Sequence, residues 1–123
     1  MTDSKMKKIR LNLARNPQYP NGSARHGYEF VAPLNAEGFI DPEHWRSERA
    51  HCLVRRFWDG EEDEHGHLVH RPGGSWAFTY DEDDDVEAGY RFGKHAFVPG
   101  EYVSIKDEDG ILFTFQVSTV EAP

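Results

Sequence analysis

Cysteine is almost absent from this chain, and it has no long apolar run. The one cysteine among 123 residues, Cys52, cannot form a disulfide within the chain, which is typical of proteins in reducing compartments. Near the N-terminus, Ile9, Leu11 and Leu13 alternate with polar residues, so the apolar segment of a signal peptide is missing there. No run approaches the ~20 apolar residues that a membrane-spanning helix needs. We therefore expect a cytoplasmic protein with no membrane partner.

Positive charge is also scarce, because 14 Lys and Arg stand against 22 Asp and Glu for a formal net charge of −8. Such a field repels nucleic-acid phosphates and disfavours generic nucleic-acid binding. The acids concentrate in three runs, residues 59–64, 81–87 and 107–109, which are typical of solvated loops. The basic residues nearest the N-terminus form a short polar arm consisting of Lys5, Lys7, Lys8, Arg10 and Arg15.

Aromatic residues, by contrast, are plentiful, at 13% of the chain. Disordered chains are poor in aromatics, so we expect a compact core of large side chains, although the mean hydropathy of −0.76 is low. The length suits one domain. We predict a flexible N-terminus over residues 1–5 and a single β domain over residues 6–123.

Period-two alternation of apolar and polar residues predicts strands along most of the chain. The clearest hairpin places strands at 101–106 and 111–120 around the turn Asp107–Gly110. One helix start occurs, Asp41-Pro42-Glu43, with a capping residue followed by proline at the first helical position. The sequence therefore predicts a mostly β fold, a small antiparallel barrel or sandwich of about seven strands, with one short helix near 42–49.

Two adjacent arginines lie in the predicted strand Cys52-Leu53-Val54-Arg55-Arg56-Phe57-Trp58. Side chains alternate between the two faces of a strand, so either Arg55 or Arg56 faces the core among apolar neighbours. A buried guanidinium needs a paired carboxylate. The interpretation with a functional consequence is an anion or carboxylate receptor inside a barrel. The alternatives are a structural ion pair or an arginine whose side chain extends to the mouth of the barrel.

An aromatic stripe, Trp76, Phe78 and Tyr80, occupies one face of a later strand. Such a stripe is typical of a core, but aromatic rings that line a cleft beside an arginine suit a flat or sugar-like ligand. Combining both features, the predicted ligand-binding residues are Arg55, Arg56, Trp58, Trp76 and Tyr90.

Three histidines cluster in the segment His65-Gly66-His67-Leu68-Val69-His70. On a strand His65 and His67 share a face and can present two imidazoles to one metal ion, while His70 falls on the other face. This spacing resembles the metal-binding strand of the cupins, which are small β-barrels. The resemblance implies a divalent transition metal at His65 and His67, although Arg71-Pro72-Gly73-Gly74 stands where a cupin has a glutamate. His70 is the third candidate ligand, which joins the other two if the strand bulges. Apart from that ion, we expect no cofactor.

Three functions from different classes follow. The first is a non-catalytic binding module for a protein or small-molecule partner, favoured because no catalytic or phosphate-binding motif is evident. The second is a metal-dependent, cupin-like barrel enzyme using His65, His67 and one distant histidine, for which His26, His51 and His95 are the candidates. The third is weak nucleic-acid binding through the basic N-terminal arm, which the net charge opposes.

Overall fold

A computed structural model describes residues 4–81, 86–90, 92–107 and 109–123, except for the side chain of Tyr90. Eight antiparallel strands form a closed barrel in which each strand pairs with its neighbours in the chain and the last pairs with the first. The predicted mostly β barrel is confirmed, with eight strands where about seven were expected. The strands are β1 Lys5–Leu13, β2 Ser23–Leu34, β3 Leu53–Trp58, β4 Glu64–His70, β5 Trp76–Tyr80, β6 Val86–Tyr90, β7 Tyr102–Lys106 and β8 Leu112–Glu121.

Successive strands run in opposite directions, so their connections alternate between the two ends of the barrel. The connections that follow β2, β4 and β6 gather at one end, which we call the closed end. The connections that follow β1, β3, β5 and β7 gather at the other, which we call the open end. Described residues of all three acidic runs lie at the open end, among them Asp59, Glu61, Asp81, Asp107 and Asp109.

The predicted helix forms at the closed end as α1, Pro42–Glu48, and a short 3-10 helix continues it over Arg49–His51. It begins where the sequence indicates, because Asp41 Oδ1 accepts hydrogen bonds from the backbone N–H groups of Glu43 and His44 at 3.0 and 3.2 Å. On its buried face, Trp45 Nε1 donates to the Leu68 carbonyl at 3.0 Å. The helix thus covers this end of the barrel.

Aromatic rings fill the barrel interior. Phe30 and Phe78 point inward from β2 and β5, and Phe92 and Phe97 reach them from the connection between β6 and β7, with ring centroids 5.2 to 6.2 Å apart. The closed end and the centre are therefore an apolar core packed from large side chains.

The end of the second acidic run differs from the sequence expectation. We expected the run 81–87 to be a solvated loop, whereas β6 is Val86–Tyr90 and a 3-10 helix follows over Phe92–Lys94. The Phe92 ring packs into the side-chain space of Gly89, where a Cβ atom would lie 2.5 Å from Phe92 Cγ. Because β6 includes residue 87, Glu87 lies opposite Phe78 of β5 and points into the barrel, where a solvated loop was expected.

The predicted boundary at residue 5 lies close to the start of β1. Residues 1–3 are outside the described residues, and Ser4 donates a hydrogen bond to Asp41 Oδ2 at 2.9 Å. β1 then begins at Lys5, paired with Leu34. The flexibility of the first five residues stays a prediction.

We expect Gly66→Ala to destabilise the barrel strongly, because a Cβ atom at this position in β4 would lie 1.8 Å from the Thr79 carbonyl oxygen of β5. The backbone of one strand must move, and we expect a loss of about 2–4 kcal/mol in the free energy of unfolding, measured by urea titration.

The matched control is Gly93→Ala, where the nearest atom, Trp76 Nε1, is 3.6 Å from the added Cβ. That contact is ordinary, so we expect a change within about 1 kcal/mol. Equal losses for the two variants contradict the close approach of β4 and β5.

Candidate ligand-binding site

The two adjacent arginines of β3 point to opposite faces of the barrel wall, as strand alternation requires. Arg56 lies opposite Tyr28 of β2 and Glu64 of β4 and points inward, whereas Arg55 lies opposite Glu29 and His65 and points outward. The structure thus places Arg56 on the core face.

Arg55 is part of an ion-pair network on the outer wall. Its guanidinium donates to Glu29 Oε1 and Asp63 Oδ2, both at 2.9 Å, and Arg10 donates to Glu29 Oε2 at 3.2 Å. The two guanidinium groups cover the Phe57 ring at 4.4 and 5.0 Å from its centroid. Burial raises the pKa of Glu29, but the hydrogen bonds and charges of Arg55 and Arg10 outweigh it and hold this pKa below its usual value. This network accounts for Arg55 structurally.

Arg56 lies inside the open end among three carboxylates. Its Nη1 atom is 3.2 Å from Glu61 and 3.5 Å from Glu64, and its Nε atom is 3.7 Å from Glu87. The guanidinium carbon lies 4.6 Å from the centroid of the Trp58 ring. The Nε atom is buried and has no hydrogen-bond partner in the described part of the chain. Arg56 is therefore shared among several acids and lacks the short bidentate pairing that is strongest for arginine.

Glu87 is the most deeply buried carboxylate of this group, at 6% exposure. Both interior tyrosine hydroxyls donate to its Oε1 atom, Tyr28 at 2.9 Å and Tyr80 in a shorter contact. Burial raises the pKa of Glu87 despite these hydrogen bonds and the charge of Arg56. Burial and the neighbouring charge of Glu87 also raise the pKa of Tyr28 well above its usual range. Both tyrosines therefore remain hydrogen-bond donors.

These groups line a pocket of about 260 Å³ at the open end. Among the described lining residues, five carboxyl groups stand against one guanidinium, a formal net charge of −4 when all are ionised. The acids come from two connections and two strands, which explains why their proximity is invisible along the chain. The lining residues are Arg56, Glu61, Glu64, Tyr80, Glu87, Asp107 and Asp109.

The other predicted ligand-binding residues do not meet at this pocket. Trp58 packs beside Arg56 at the open end, where its ring contacts His26. Trp76 is buried at 2% exposure toward the closed end, against Trp45. The backbone of Tyr90 belongs to β6, and its side chain lies outside the described residues. Among the four of these residues whose side chains the structure describes, Arg56 lines the pocket and Trp58 contacts Arg56.

The three candidate metal ligands point to two sides of the barrel wall. His65 and His67 lie on the outer face of β4, and His67 Nδ1 is 3.5 Å from Asp81 Oδ1. His70 lies on the inner face, stacked on the Trp76 ring with centroids 4.2 Å apart. Within residues 4–81, 86–90, 92–107 and 109–123, no three His, Cys, Asp or Glu side chains are grouped so that they could hold a metal ion.

Sequence reasoning missed Tyr28, Tyr80 and Glu87 as members of the site. Glu87 was assigned to a solvated loop because it follows a run of acids, but the alternation of Val86, Ala88 and Tyr90 with Glu87 and Gly89 indicates a strand. This two-residue period, with small or apolar residues on both sides of Glu87, was the signal that could have identified the strand from the sequence. The sequence does not distinguish the two tyrosines from core residues, since core and pocket positions both fall on the inward face of a strand and show the same alternation.

In comparisons with known proteins, no family model, no curated protein and no solved structure matches this chain. The site must therefore be interpreted from its own geometry. No helix among the described residues is long and apolar enough to cross a membrane.

Replacing Glu87 by glutamine should change how stability depends on pH. Because burial raises the pKa of Glu87, the folded protein holds this proton more tightly than the unfolded chain. The contribution to stability is present below the unfolded pKa of about 4.3 and is lost as pH rises through the folded pKa. Relative to the wild type, Glu87→Gln should therefore gain free energy of unfolding as pH rises through this interval, and then level off.

Urea unfolding of both proteins between pH 4 and pH 8 measures this difference. Glu101→Gln is the matched control, because it removes the same group from an exposed position in the connection between β6 and β7. A Glu87→Gln difference that stays constant with pH contradicts the burial of an ionisable carboxyl group at this position.

Proposed function

We propose that this protein is a non-catalytic binding module whose open-end pocket takes a positively charged group, an ammonium or a guanidinium. The charge of the pocket supports this choice over the anion receptor that the arginines suggested. Arg56 is already surrounded by Glu61, Glu64 and Glu87, so an incoming anion meets more carboxylates than cations. An incoming cation meets an excess of carboxylates over guanidinium groups among the described lining residues.

Glu87 is the observation that carries the proposal. Its Oε1 atom is held by two buried tyrosines, which fixes the direction of the carboxylate. Its Oε2 atom accepts no hydrogen bond in the described ranges, and the nearest described cationic atom, Arg56 Nε, is 3.7 Å away. A buried carboxylate with one unfilled oxygen is costly when ionised. A ligand N–H group on that oxygen offsets this cost.

The rest of the open end is suited to attracting such a group. Glu61, Glu64, Asp107 and Asp109 line the pocket beside Glu87, so their combined field draws cations toward it. The pocket volume of about 260 Å³ admits a side-chain-sized group and excludes a large ligand. A cytoplasmic location remains part of this proposal.

Isothermal titration calorimetry with putrescine, a small diamine, tests the proposal. We expect saturable binding that weakens with added salt, because the attraction is electrostatic. Glu87→Gln should weaken it roughly tenfold or more, the size of one charge pair about 5 Å apart at an effective dielectric constant near 20 after partial screening.

Glu101→Gln, which removes the same charge far from the pocket, should leave the affinity nearly unchanged. Succinate, a dianion of similar length, should not bind. Equal losses for both variants, or binding of succinate in place of putrescine, would falsify the cation-binding role.

Nothing in the described contacts favours the two alternative functions, and both stay predictions. Each alternative predicts a distinct mass change. The first adds a divalent ion at His65 and His67, and the second adds a nucleic acid at the basic N-terminal residues. Native mass spectrometry of the untagged protein separates an added metal ion from an added organic cation.

A further inference from the structure

We propose that the cationic group belongs to a polypeptide segment in which apolar side chains flank a basic residue, docked across the turn between β7 and β8. This inference rests on the proposed function and names the partner. It follows from an apolar groove beside the pocket that a free amine leaves unused.

The groove has a volume of about 520 Å³ and lies between the connection after β1 and the start of β8. Ile111 and Leu112 form one wall and are 53% and 48% exposed, among the largest exposures of any apolar side chain described here. Pro17 and Phe113 extend the apolar lining. Neighbouring exposed side chains of this size are typical of an interaction surface.

A single turn separates the groove from the acidic pocket. Asp107 Oδ1 accepts hydrogen bonds from the backbone N–H groups of Asp109 and Ile111, both at 2.9 Å, which fixes the turn. Asp107 and Asp109 line the pocket, and Ile111 lines the groove. Asp109 and Ile111 are two residues apart, and two residues of even fully extended chain cover ~7 Å. The pocket and the groove are therefore close enough for a short segment to contact both.

Charge complementarity selects the occupant. The carboxylates on the pocket side of the turn require a cation, and the exposed aliphatic side chains on the groove side require an apolar group, so the partner must carry both within a few residues. Arg15 and Gln18 on the opposite groove wall offer side-chain donors to the carbonyl groups of a bound segment. An anionic lipid surface meets the acidic end unfavourably, and a simple amine buries none of the apolar surface.

Three capped peptides of sequence Ser-Leu-Lys-Leu-Ser, Ser-Ser-Lys-Ser-Ser and Ser-Leu-Glu-Leu-Ser serve as probes, with putrescine alongside, all measured by calorimetry on the full chain. We expect the first peptide to bind roughly tenfold more tightly than the second, because its leucines bury apolar surface. We expect the third, which lacks the cation, not to bind.

The variant Ile111→Ser with Leu112→Ser should abolish the advantage of the leucine peptide and leave putrescine affinity unchanged. Its matched control is Leu53→Ser with Tyr102→Ser, which removes two apolar side chains of similar exposure, 52% and 53%, from elsewhere on the barrel. All four positions are exposed, so circular dichroism should show both double variants folded.

The outcomes separate the two proposals. Equal affinities for the leucine and serine peptides, with putrescine still bound, overturn the docking of a segment but leave the cation site intact. Loss of binding for every cationic probe overturns both. If the native mass is that of a dimer which the Ile111 and Leu112 double variant dissociates, the groove is occupied by a second copy of the chain and the inference fails.

Discussion

Pairing of β1 with β8 is the constraint on which the other features of this molecule depend. Six register pairs from Lys8 with Glu121 to Leu13 with Phe115 close the sheet, with one shift between Arg10 and Leu11. Closure removes both sheet edges, which otherwise invite pairing with another chain. It also gives every strand one face toward a shared interior, so each inward residue must fit a small enclosed volume.

That small volume explains why the two ends of the barrel differ in chemistry. The rings of Phe30, Phe78, Phe92 and Phe97 fill the centre and the closed end, where α1 covers them. Inward positions between these rings and the open end are close enough to water to accommodate polar groups. Arg56 and Glu87 occupy them, and the two interior tyrosines join the polar layer to the apolar one. The pocket is thus the water-facing end of the core.

The fold could be predicted from the sequence because its signals are local. Alternation in 101–106 and 111–120 identified β7 and β8, and the Asp41-Pro42-Glu43 signal identified α1 to within one residue. Closure into a barrel left no local signal, and neither did the packing of the Phe92 ring into the side-chain space of Gly89. These depend on contacts between residues that the chain separates by a turn or more.

The site could be predicted only in part, for the same reason. Strand alternation established that one of the two arginines must face the core, but which one depends on register with Tyr28 and Glu64. The acid that faces Arg56 is assigned by topology alone, since Glu87 reaches it from β6, three strands away. Trp76 and Tyr80 share a strand face and yet belong to opposite ends, which composition cannot reveal.

An inward arginine and glutamate are a poor means of stabilising a barrel. Desolvation of both groups offsets most of their attraction, and apolar side chains of similar volume often stabilise a core as well or better. Here the pairing is also loose, at 3.7 Å between Arg56 Nε and Glu87 Oε2, while two tyrosine hydroxyls converge on the other carboxylate oxygen. The fold gains little stability from a Glu87 carboxylate whose Oε1 atom accepts two hydrogen bonds while its Oε2 atom accepts none within the described ranges. The arrangement gains from a further N–H donor that enters through the open end, and the acidic surroundings favour a positively charged one.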